Sequence, residues 1–232
     1  GERAVDSLFL GGGTPSLMTG TQVAGVIEEV DRLWGLKPGA EITLEANPDD
    51  QARFADFAAA GVNRLSLGLQ SLDDTRLKFL GRTHSSADAL AALEEARGRF
   101  RSISIDMIYA LPGEGLVGWR EELSRALSLG ADHLSLYELT IEPGAAFAYA
   151  VQRKAWAPLA DEVAAELYEI TQELTLAAGY DGYEISNHAR PGEESRHNLT
   201  YWRYQDYVGI GPGAHGRRGG VATVRHKKPE NW

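Results

Sequence analysis

Short apolar runs alternate with amphipathic stretches along most of the chain. The run from Val5 to Leu10 is typical of a buried strand, whereas residues 21–34 place Val23, Ile27 and Val30 on one helical stripe opposite charged residues. The same criteria predict strands at 41–46, 64–69, 102–111 and 133–139, and helices at 51–60, 73–80, 85–97 and 119–129. Because strands and helices alternate with short connections, we expect parallel strands joined by right-handed crossovers. The predicted architecture is a full or partial (β/α) barrel, with a doubly wound open sheet as the alternative.

The pattern changes after Gly144, where the alternation ends. Residues 158–178 form the longest predicted helix, and Gly179 is well placed as its C′ residue. Aromatic residues, histidines and glycines are concentrated in the part of the sequence that follows this helix. We therefore predict a partial barrel over residues 1–143 and a C-terminal α+β segment over residues 144–232, packed on the barrel.

The predicted first strand ends in three consecutive glycines followed by a threonine and a proline. Gly11, Gly12 and Gly13 carry no side chain at the point where the backbone turns, so main-chain N–H groups can approach a ligand there. Thr14 keeps one hydroxyl beside them. The alternative interpretation is a tight strand-to-helix turn without a ligand.

Polar residues also lie at the carboxyl ends of the other predicted strands, where the functional groups of a parallel barrel collect. They are Glu45, Gln70 and Thr140. Asp106 lies inside a strand, where a buried carboxylate needs a partner. Arg82 follows Gln70 by a short helix and could return to the same edge to meet a carboxylate or phosphate. Rim hydrogen bonds, and a solvated arginine, are the alternative interpretations.

A second cluster combines polar and aromatic side chains near the end of the chain. It contains His197, Asn198, Tyr201 and Trp202. An exposed histidine beside aromatic rings suits haem ligation or stacking, and a packed corner with a hydrogen-bonded histidine is the alternative. His215 lies among glycines and is a candidate pocket residue.

Composition narrows the class of protein. The net charge of −10 argues against a general nucleic-acid binder and against adhesion to anionic membranes. No apolar run approaches the length of a membrane-spanning helix and no secretory signal pattern occurs, so we expect a cytoplasmic protein without stable membrane insertion. The absence of cysteine excludes disulfides and thiolate metal sites within these residues. Both ends look cut, so we expect an internal piece of a longer protein.

Specific motifs cover nearly the whole chain in one order. They are LFLGGGTPSLM at 8–18, EITLEANPDD at 41–50, GVNRLSLGLQSLDD at 61–74 with LGRTH at 80–84, ISIDMIYALPGE at 103–114, HLSLYELTIEPG at 133–144, GYEISNHARPGEESRHNLTYW at 182–202 and GIGPGAHG at 209–216. In these stretches the chain resembles the radical S-adenosylmethionine (SAM) proteins of the oxygen-independent coproporphyrinogen III oxidase family. It is most similar to the HemW-type haem chaperone branch.

The resemblance implies a partial, TIM-like (β/α) barrel of the radical SAM type that holds SAM and a [4Fe–4S] cluster at its mouth. The residues at the family's SAM-contact positions are Gly12, Gly13, Thr14, Glu45, Gln70, Arg82 and Asp106, with Thr140 and His215 as weaker matches. The HNLTYW stretch resembles a motif that the chaperone branch associates with haem, which makes His197 the leading haem-ligand candidate, with Asn198, Tyr201 and Trp202 beside it.

One departure from the family is large. The family binds its cluster through a CxxxCxxC loop after the first barrel strand, and this chain contains neither the loop nor any cysteine. We therefore expect a barrel without its first strand and a cluster only in the full-length protein.

The resemblance implies a haem chaperone that passes haem to a haem-requiring protein. Two alternatives stay open. One is radical oxidative decarboxylation of coproporphyrinogen III, and the other is a barrel module without redox activity. The expected partners are haem or a porphyrinogen and a haem-acceptor protein, and nucleic acid is not among them.

The missing cysteines lead to a direct test. We expect the reading frame upstream of Gly1 to encode a CxxxCxxC motif, and we expect iron–sulfur reconstitution of this 232-residue chain alone to fail. Absorbance near 400 nm and iron content after reconstitution measure the second outcome. A stable cluster on the chain alone would overturn the interpretation that the cluster loop lies elsewhere.

Overall fold

The computed structural model describes residues 4–231, which form two compact units divided between Glu194 and Ser195. The strands of the first unit are β1 Val5–Leu10, β2 Leu36–Ala46, β3 Arg64–Gln70, β4 Ser102–Tyr109, β5 His133–Glu138, β6 Asp181–Gly182 and β7 Asn187–Ala189. Its helices are α1 Gly20–Trp34, α2 Phe54–Ala59, α3 Asp74–Phe79, α4 Ser86–Arg97, α5 Leu116–Ser128, α6 Ala146–Gln152 and α7 Asp161–Ala177, with 3₁₀ turns at Pro15–Leu17 and Pro48–Arg53. The second unit contains α8 Arg196–Trp202, the hairpin β8 His215–Arg218 and β9 Val221–Val224, and a 3₁₀ turn at Pro229–Asn231.

The sheet of the first unit runs in the order β1-β2-β3-β4-β5-β7-β6. Each of the first five strands is parallel to the next, whereas β7 pairs antiparallel with both β5 and β6. The strand order never reverses, which separates this winding from a doubly wound sheet. The sheet curls into a half-barrel, and the predicted α/β partial barrel is confirmed.

The central strands present two chemically different faces. Along β3, β4 and β5, leucine, isoleucine and methionine alternate with polar residues. The apolar set, which joins the helices in the main hydrophobic core, is Leu65, Leu67, Leu69, Ile103, Ile105, Met107, Leu134 and Leu136. The polar set therefore lines the concave face of the half-barrel, because successive side chains of a strand point to opposite faces.

Several element boundaries follow from local capping chemistry. Ser85 is the N-cap of α4, as predicted, and its hydroxyl exchanges hydrogen bonds with Asp88. Gly179 follows the end of α7 with a φ of +82°, which confirms its predicted C′ position. The helix predicted at 51–60 is instead a 3₁₀ turn followed by α2, because Asn47 and Pro48 start the helical turn earlier.

The elements after residue 143 are mostly short. The predicted helix at 158–178 corresponds to α7, whereas α6, β6 and β7 were not predicted, because pieces of two to seven residues are too short to show a period. The parallel part of the sheet ends with β5. The domain boundary at 143/144 stays a prediction. Within residues 4–231, no helix is long and apolar enough to cross a membrane.

A buried ion cluster connects the loops that follow β3 and β4. The Arg76 guanidinium on α3 contacts the carboxylates of Glu114 and Glu122, and its Nη1 lies 2.5 Å from Glu114 Oε1. Glu122 Oε1 also accepts hydrogen bonds from Ser71 Oγ at 2.5 Å and Leu72 N at 2.6 Å. Since Glu114 Oε2 accepts from Leu111 N at 3.1 Å, the cluster holds both loops against α5.

Glu122→Ala tests the contribution of this cluster to stability. The substitution leaves Ser71, Leu72 and part of Arg76 without their buried acceptor, so we expect the free energy of unfolding to fall by about 3 kcal/mol. The exposed neighbour Glu121→Ala is the matched control and should change it by less than about 0.5 kcal/mol. Urea unfolding measures both, and equal stability of the two variants would contradict a structural role for the cluster.

Candidate functional site

The glycine turn after β1 adopts a conformation that other residues avoid. Gly12 and Gly13 have φ values of +78° and +62°, and a side chain on Gly11 would lie 2.2 Å from the Phe9 ring. Gly12 N donates a hydrogen bond to Glu45 Oε2 at 3.0 Å, which joins the turn to the end of β2. Gly12, Gly13 and Thr14 are exposed, so their backbone is accessible to a ligand.

Ser16, which follows the glycine turn in the sequence, fixes the position of that turn. Ser16 is fully buried, and its hydroxyl donates to Asp50 Oδ2 at 2.6 Å. Arg53 Nη1 donates to the Ser16 carbonyl oxygen at 2.5 Å. Hydrogen bonds therefore join the loops that follow β1 and β2 into one layer.

This layer belongs to what we call the sheet mouth, the carboxyl edge formed by the ends of β1 to β5 at Leu10, Ala46, Gln70, Tyr109 and Glu138. Glu45 is half-buried there, next to the last residue of β2. Burial raises the pKa of Glu45, and the hydrogen bond from the Gly12 N–H partly offsets that increase.

Gln70 ends β3 in a strained backbone conformation. Its φ is +68°, an uncommon value for a residue other than glycine, and the pairing register with β4 shifts between Leu67 and Gln70. Its side-chain amide lies beside Gly68, where a Cβ atom would meet it at 2.6 Å. Ala110, directly after β4, has a φ of +61°. Such positions cost about 1–3 kcal/mol each and cluster at functional sites.

Arg82 lies on the loop between α3 and α4, next to residues that bond to the end of β3 and to the turn after β2. The loop that carries it is held by His84, whose Nε2 lies 3.2 Å from the Leu69 carbonyl oxygen, and by Thr83, whose hydroxyl donates to Asp49. Arg82 is half-buried, and its Nε is buried without a protein hydrogen-bond partner. Burial lowers its pKa. A buried N–H without an acceptor fits a ligand oxygen at this place.

Asp106 is the carboxylate with the largest perturbation at the sheet mouth. Its oxygens accept hydrogen bonds from Ser66 Oγ at 2.9 and 3.2 Å. Burial raises the pKa of Asp106 to about 6, hydroxyls of Ser135, Ser66 and Ser104 oppose that increase, and the nearby charge of Glu45 adds to it. Asp106 therefore changes its protonation state close to neutral pH.

The structure brings most of the predicted SAM contacts to one edge. Gly12, Gly13, Thr14, Glu45, Gln70, Arg82 and Asp106 lie at or near the ends of β1 to β4. Thr140 follows β5 by two residues and is exposed, with its hydroxyl 3.3 Å from the Glu138 carbonyl oxygen. His215 belongs to the second unit, where it begins β8. Their roles in binding SAM stay predictions.

The four haem candidates lie on one short helix of the second unit, α8. His197 and Tyr201 are four residues apart, with ring centroids separated by 4.8 Å, and Tyr201 packs edge-on against Tyr207 at 4.6 Å. His197 is half-buried, and the Tyr201 ring packs against it edge-on, which is closer to the packed corner than to the exposed histidine of the two interpretations. Asn198 is half-buried, whereas Trp202 is 51% exposed and its indole faces solvent.

The residues of this chain do not fit an iron–sulfur cluster. The sequence contains no cysteine, and within the described residues no group of three or more histidine, aspartate or glutamate side chains could hold a metal ion. The residues of the sheet mouth offer hydrogen-bond donors and carboxylates instead.

The sequence analysis did not identify the polar lining of the concave face. The missed residues include Ser66, Ser104, His133, Ser135, Tyr137 and Tyr183. The period-two alternation of polar and apolar residues in three consecutive strands was the available signal. The leucines of this pattern indicate the core, and the serines between them indicate the polar face.

The raised pKa of Asp106 leads to a pH-dependent prediction. A carboxyl whose pKa rises from 3.8 to about 6 on folding adds stability below pH 4, and that stability is lost as the pH rises through 6. The free energy of unfolding of Asp106→Asn, measured relative to that of wild type, should therefore rise by about 1–3 kcal/mol between pH 4 and pH 7. Chemical denaturation across this range measures the difference, in which the titration of groups that do not interact with Asp106 cancels. A flat difference would contradict the assignment.

Comparison with known proteins places this geometry in a family. A family model described as the radical SAM superfamily matches residues 1–125. Radical S-adenosyl methionine domain-containing protein 1, mitochondrial, from Mus musculus is 46% identical over 100% of this chain and 55% of its own length. The heme chaperone HemW from Escherichia coli is 42% identical over 93% of this chain and 57% of its own length. This chain therefore spans a little over half the length of these relatives.

A solved structure shows the same architecture. Coproporphyrinogen III oxidase (HemN) from Escherichia coli matches 98% of this chain and 56% of its own chain with a TM-score of 0.81, at 23% sequence identity. This likeness is one of fold. Since the family model covers more than half of a chain whose parallel strands form such a half-barrel, the protein belongs to the radical SAM superfamily.

Proposed function

We propose that this protein is a haem chaperone, which binds haem and passes it to a haem-requiring protein. The observation that carries the proposal is the histidine and aromatic arrangement of α8, in a chain that aligns with proteins named heme chaperone HemW over 93–98% of its length at 39–42% identity. Because the chain spans 54–60% of the length of its curated relatives, the function of the whole protein is inferred from them.

The chemistry of α8 suits haem. Burial lowers the pKa of His197 to about 4, so the imidazole is neutral at physiological pH, and the neutral ring is the form that binds iron. Tyr201 holds the ring from the side. The exposed rings of Tyr201 and Trp202 offer flat apolar surface next to it.

We assign SAM to the sheet mouth. Membership in the superfamily implies SAM and a [4Fe–4S] cluster as cofactors. The exposed backbone of Gly12 to Thr14, the carboxylates of Glu45 and Asp106 and the buried Nε of Arg82 would hold SAM by hydrogen bonds. Radical cleavage of SAM needs electrons from the cluster. This chain contains no cysteine, and its own residues would bind and orient SAM.

The expected partners follow from the chaperone assignment. They are haem or a porphyrinogen and a haem-acceptor protein. A cytoplasmic location stays a prediction, since three animal relatives are named mitochondrial proteins.

His197→Ala tests the haem assignment. We expect the wild-type protein to shift the Soret band of added haemin and His197→Ala to bind haemin at least about tenfold more weakly, a loss of about 1.4 kcal/mol. His226→Ala is the control, because His226 is exposed and lies outside α8. Absorption titration of the purified proteins measures the change. Equal Soret shifts in wild type and His197→Ala would overturn the assignment of His197.

The oxidase is the second candidate, and a different measurement decides it. Incubation of the cluster-loaded, full-length protein with SAM, reductant and coproporphyrinogen III should leave the porphyrinogen unchanged if the protein is a chaperone. Formation of the decarboxylated product would favour the oxidase. The absence of both haem binding and turnover would favour a barrel module without redox activity.

A further inference from the structure

A hydrogen-bonded chain crosses the concave face from the loop before β7 to the sheet mouth. Tyr183 Oη lies 2.7 Å from His133 Nε2, and His133 Nδ1 lies 2.6 Å from Ser104 Oγ. Ser104 Oγ lies 3.4 Å from Ser135 Oγ and 3.5 Å from the nearer oxygen of Asp106. The chain therefore ends at the carboxylate that the proposed function assigns to SAM.

Burial isolates the middle of this hydrogen-bonded chain from bulk water, whereas Tyr183 and Asp106 at its ends are half-buried. The exposed fractions of Ser104, His133 and Ser135 are 3%, 2% and 4%. Inside such an environment hydrogen bonds are stronger and the loss of a partner is costly. Burial also lowers the pKa of His133 well below its usual value, so the ring is neutral and carries one proton.

A neutral imidazole makes the direction of the chain depend on its tautomer. When the Tyr183 hydroxyl donates to Nε2, the His133 proton lies on Nδ1 and is donated to Ser104 Oγ. The Ser104 hydroxyl proton is then available to Asp106 or to Ser135, whose hydroxyl also hydrogen-bonds Asp106. In the other tautomer Ser104 donates to Nδ1, and its proton points away from the carboxylate.

We propose that Tyr183, His133 and Ser104 are positioning residues, which select one hydrogen-bonded state and orientation of the Asp106 carboxylate for its ligand. The proposal rests on the proposed role of Asp106 as a SAM contact. It extends the site to residues as far away as the loop before β7, which would act on the ligand through Asp106.

Other titratable groups also face this region, and each belongs to a neighbouring element. Glu45 on β2 raises the pKa of Asp106, and Arg64 on β3 lowers that of His133, as does His188 on β7. Burial raises the pKa of Tyr137 on β5, and the charges of Asp106, Glu45 and Glu184, the last from the loop before β7, raise it further. None of these residues is changed in the experiment below, so their influence is common to all variants.

The experiment is a titration of the Asp106 carboxyl carbon by ¹³C NMR, with the signal assigned by its loss in Asp106→Asn. Tyr183→Phe removes the donor to Nε2, and Ser104→Ala removes the hydroxyl that reaches Asp106. Because a carboxylate that loses a donor is harder to ionise, we expect both variants to raise the pKa of Asp106 by about half a unit or more.

Tyr180→Phe is the matched control. Tyr180 is buried, and its hydroxyl donates to the Ala131 carbonyl oxygen at 2.7 Å rather than to the residues around Asp106. The control should lose comparable stability while the pKa of Asp106 stays within about 0.2 units of wild type. An unchanged Asp106 titration in both Tyr183→Phe and Ser104→Ala overturns the proposal, as does an equal shift in Tyr180→Phe.

Calorimetric titration of SAM into the full-length protein separates this proposal from the proposed function. If Asp106→Asn leaves the SAM affinity unchanged, Asp106 is not a SAM contact and the proposed function of the sheet mouth fails, as does the ligand clause of this inference. A shifted titration in Tyr183→Phe together with at least threefold weaker SAM binding supports both.

Discussion

The fold depends on strands that are buried on both faces but are apolar on only one. Leucine, isoleucine and methionine of β3 to β5 pack against helices, and the residues between them place hydroxyls, an imidazole and a carboxylate on the concave face. Such groups are stable away from water only when they bond to one another. Ser66 bonds to Asp106, and Ser104 bonds to His133. These bonded side chains form the inner surface of the half-barrel, and they are also its reactive groups.

The ends of the strands carry a second constraint, because the backbone there is strained. Gln70 and Ala110 adopt left-handed conformations directly at the loops that Glu122 and Glu114 hold through Ser71, Leu72 and Leu111. Strain of this kind persists only where surrounding bonds over-determine the backbone. The ion cluster around Arg76 supplies those bonds, so a salt bridge supports the backbone geometry of Gln70 and Ala110 at the strand ends.

The sequence was sufficient to predict the order of the parallel strands and most of the residues that lie at the sheet mouth. Period and turn residues predicted β1 to β5, and the polar residues after them, Glu45, Gln70 and Arg82, lie at one edge. The short elements after α7 could not be predicted, since two or three residues show no period. The bonds of Ser104 depend on contacts between distant segments, such as its hydrogen bond with His133, which a linear pattern does not record.

The hydrogen bond from Gly12 N to Glu45 has a consequence for recognition. The Gly12 N–H, which is exposed at the turn, already has an acceptor from its own chain. Binding at the turn is then an exchange in which an incoming carboxylate competes with Glu45, and the affinity reflects the difference between two acceptors for one N–H. A ligand that also carries a cationic group gains from the displaced carboxylate, which becomes its counter-ion. A zwitterionic ligand would therefore compete with Glu45 at this turn better than a simple anion would.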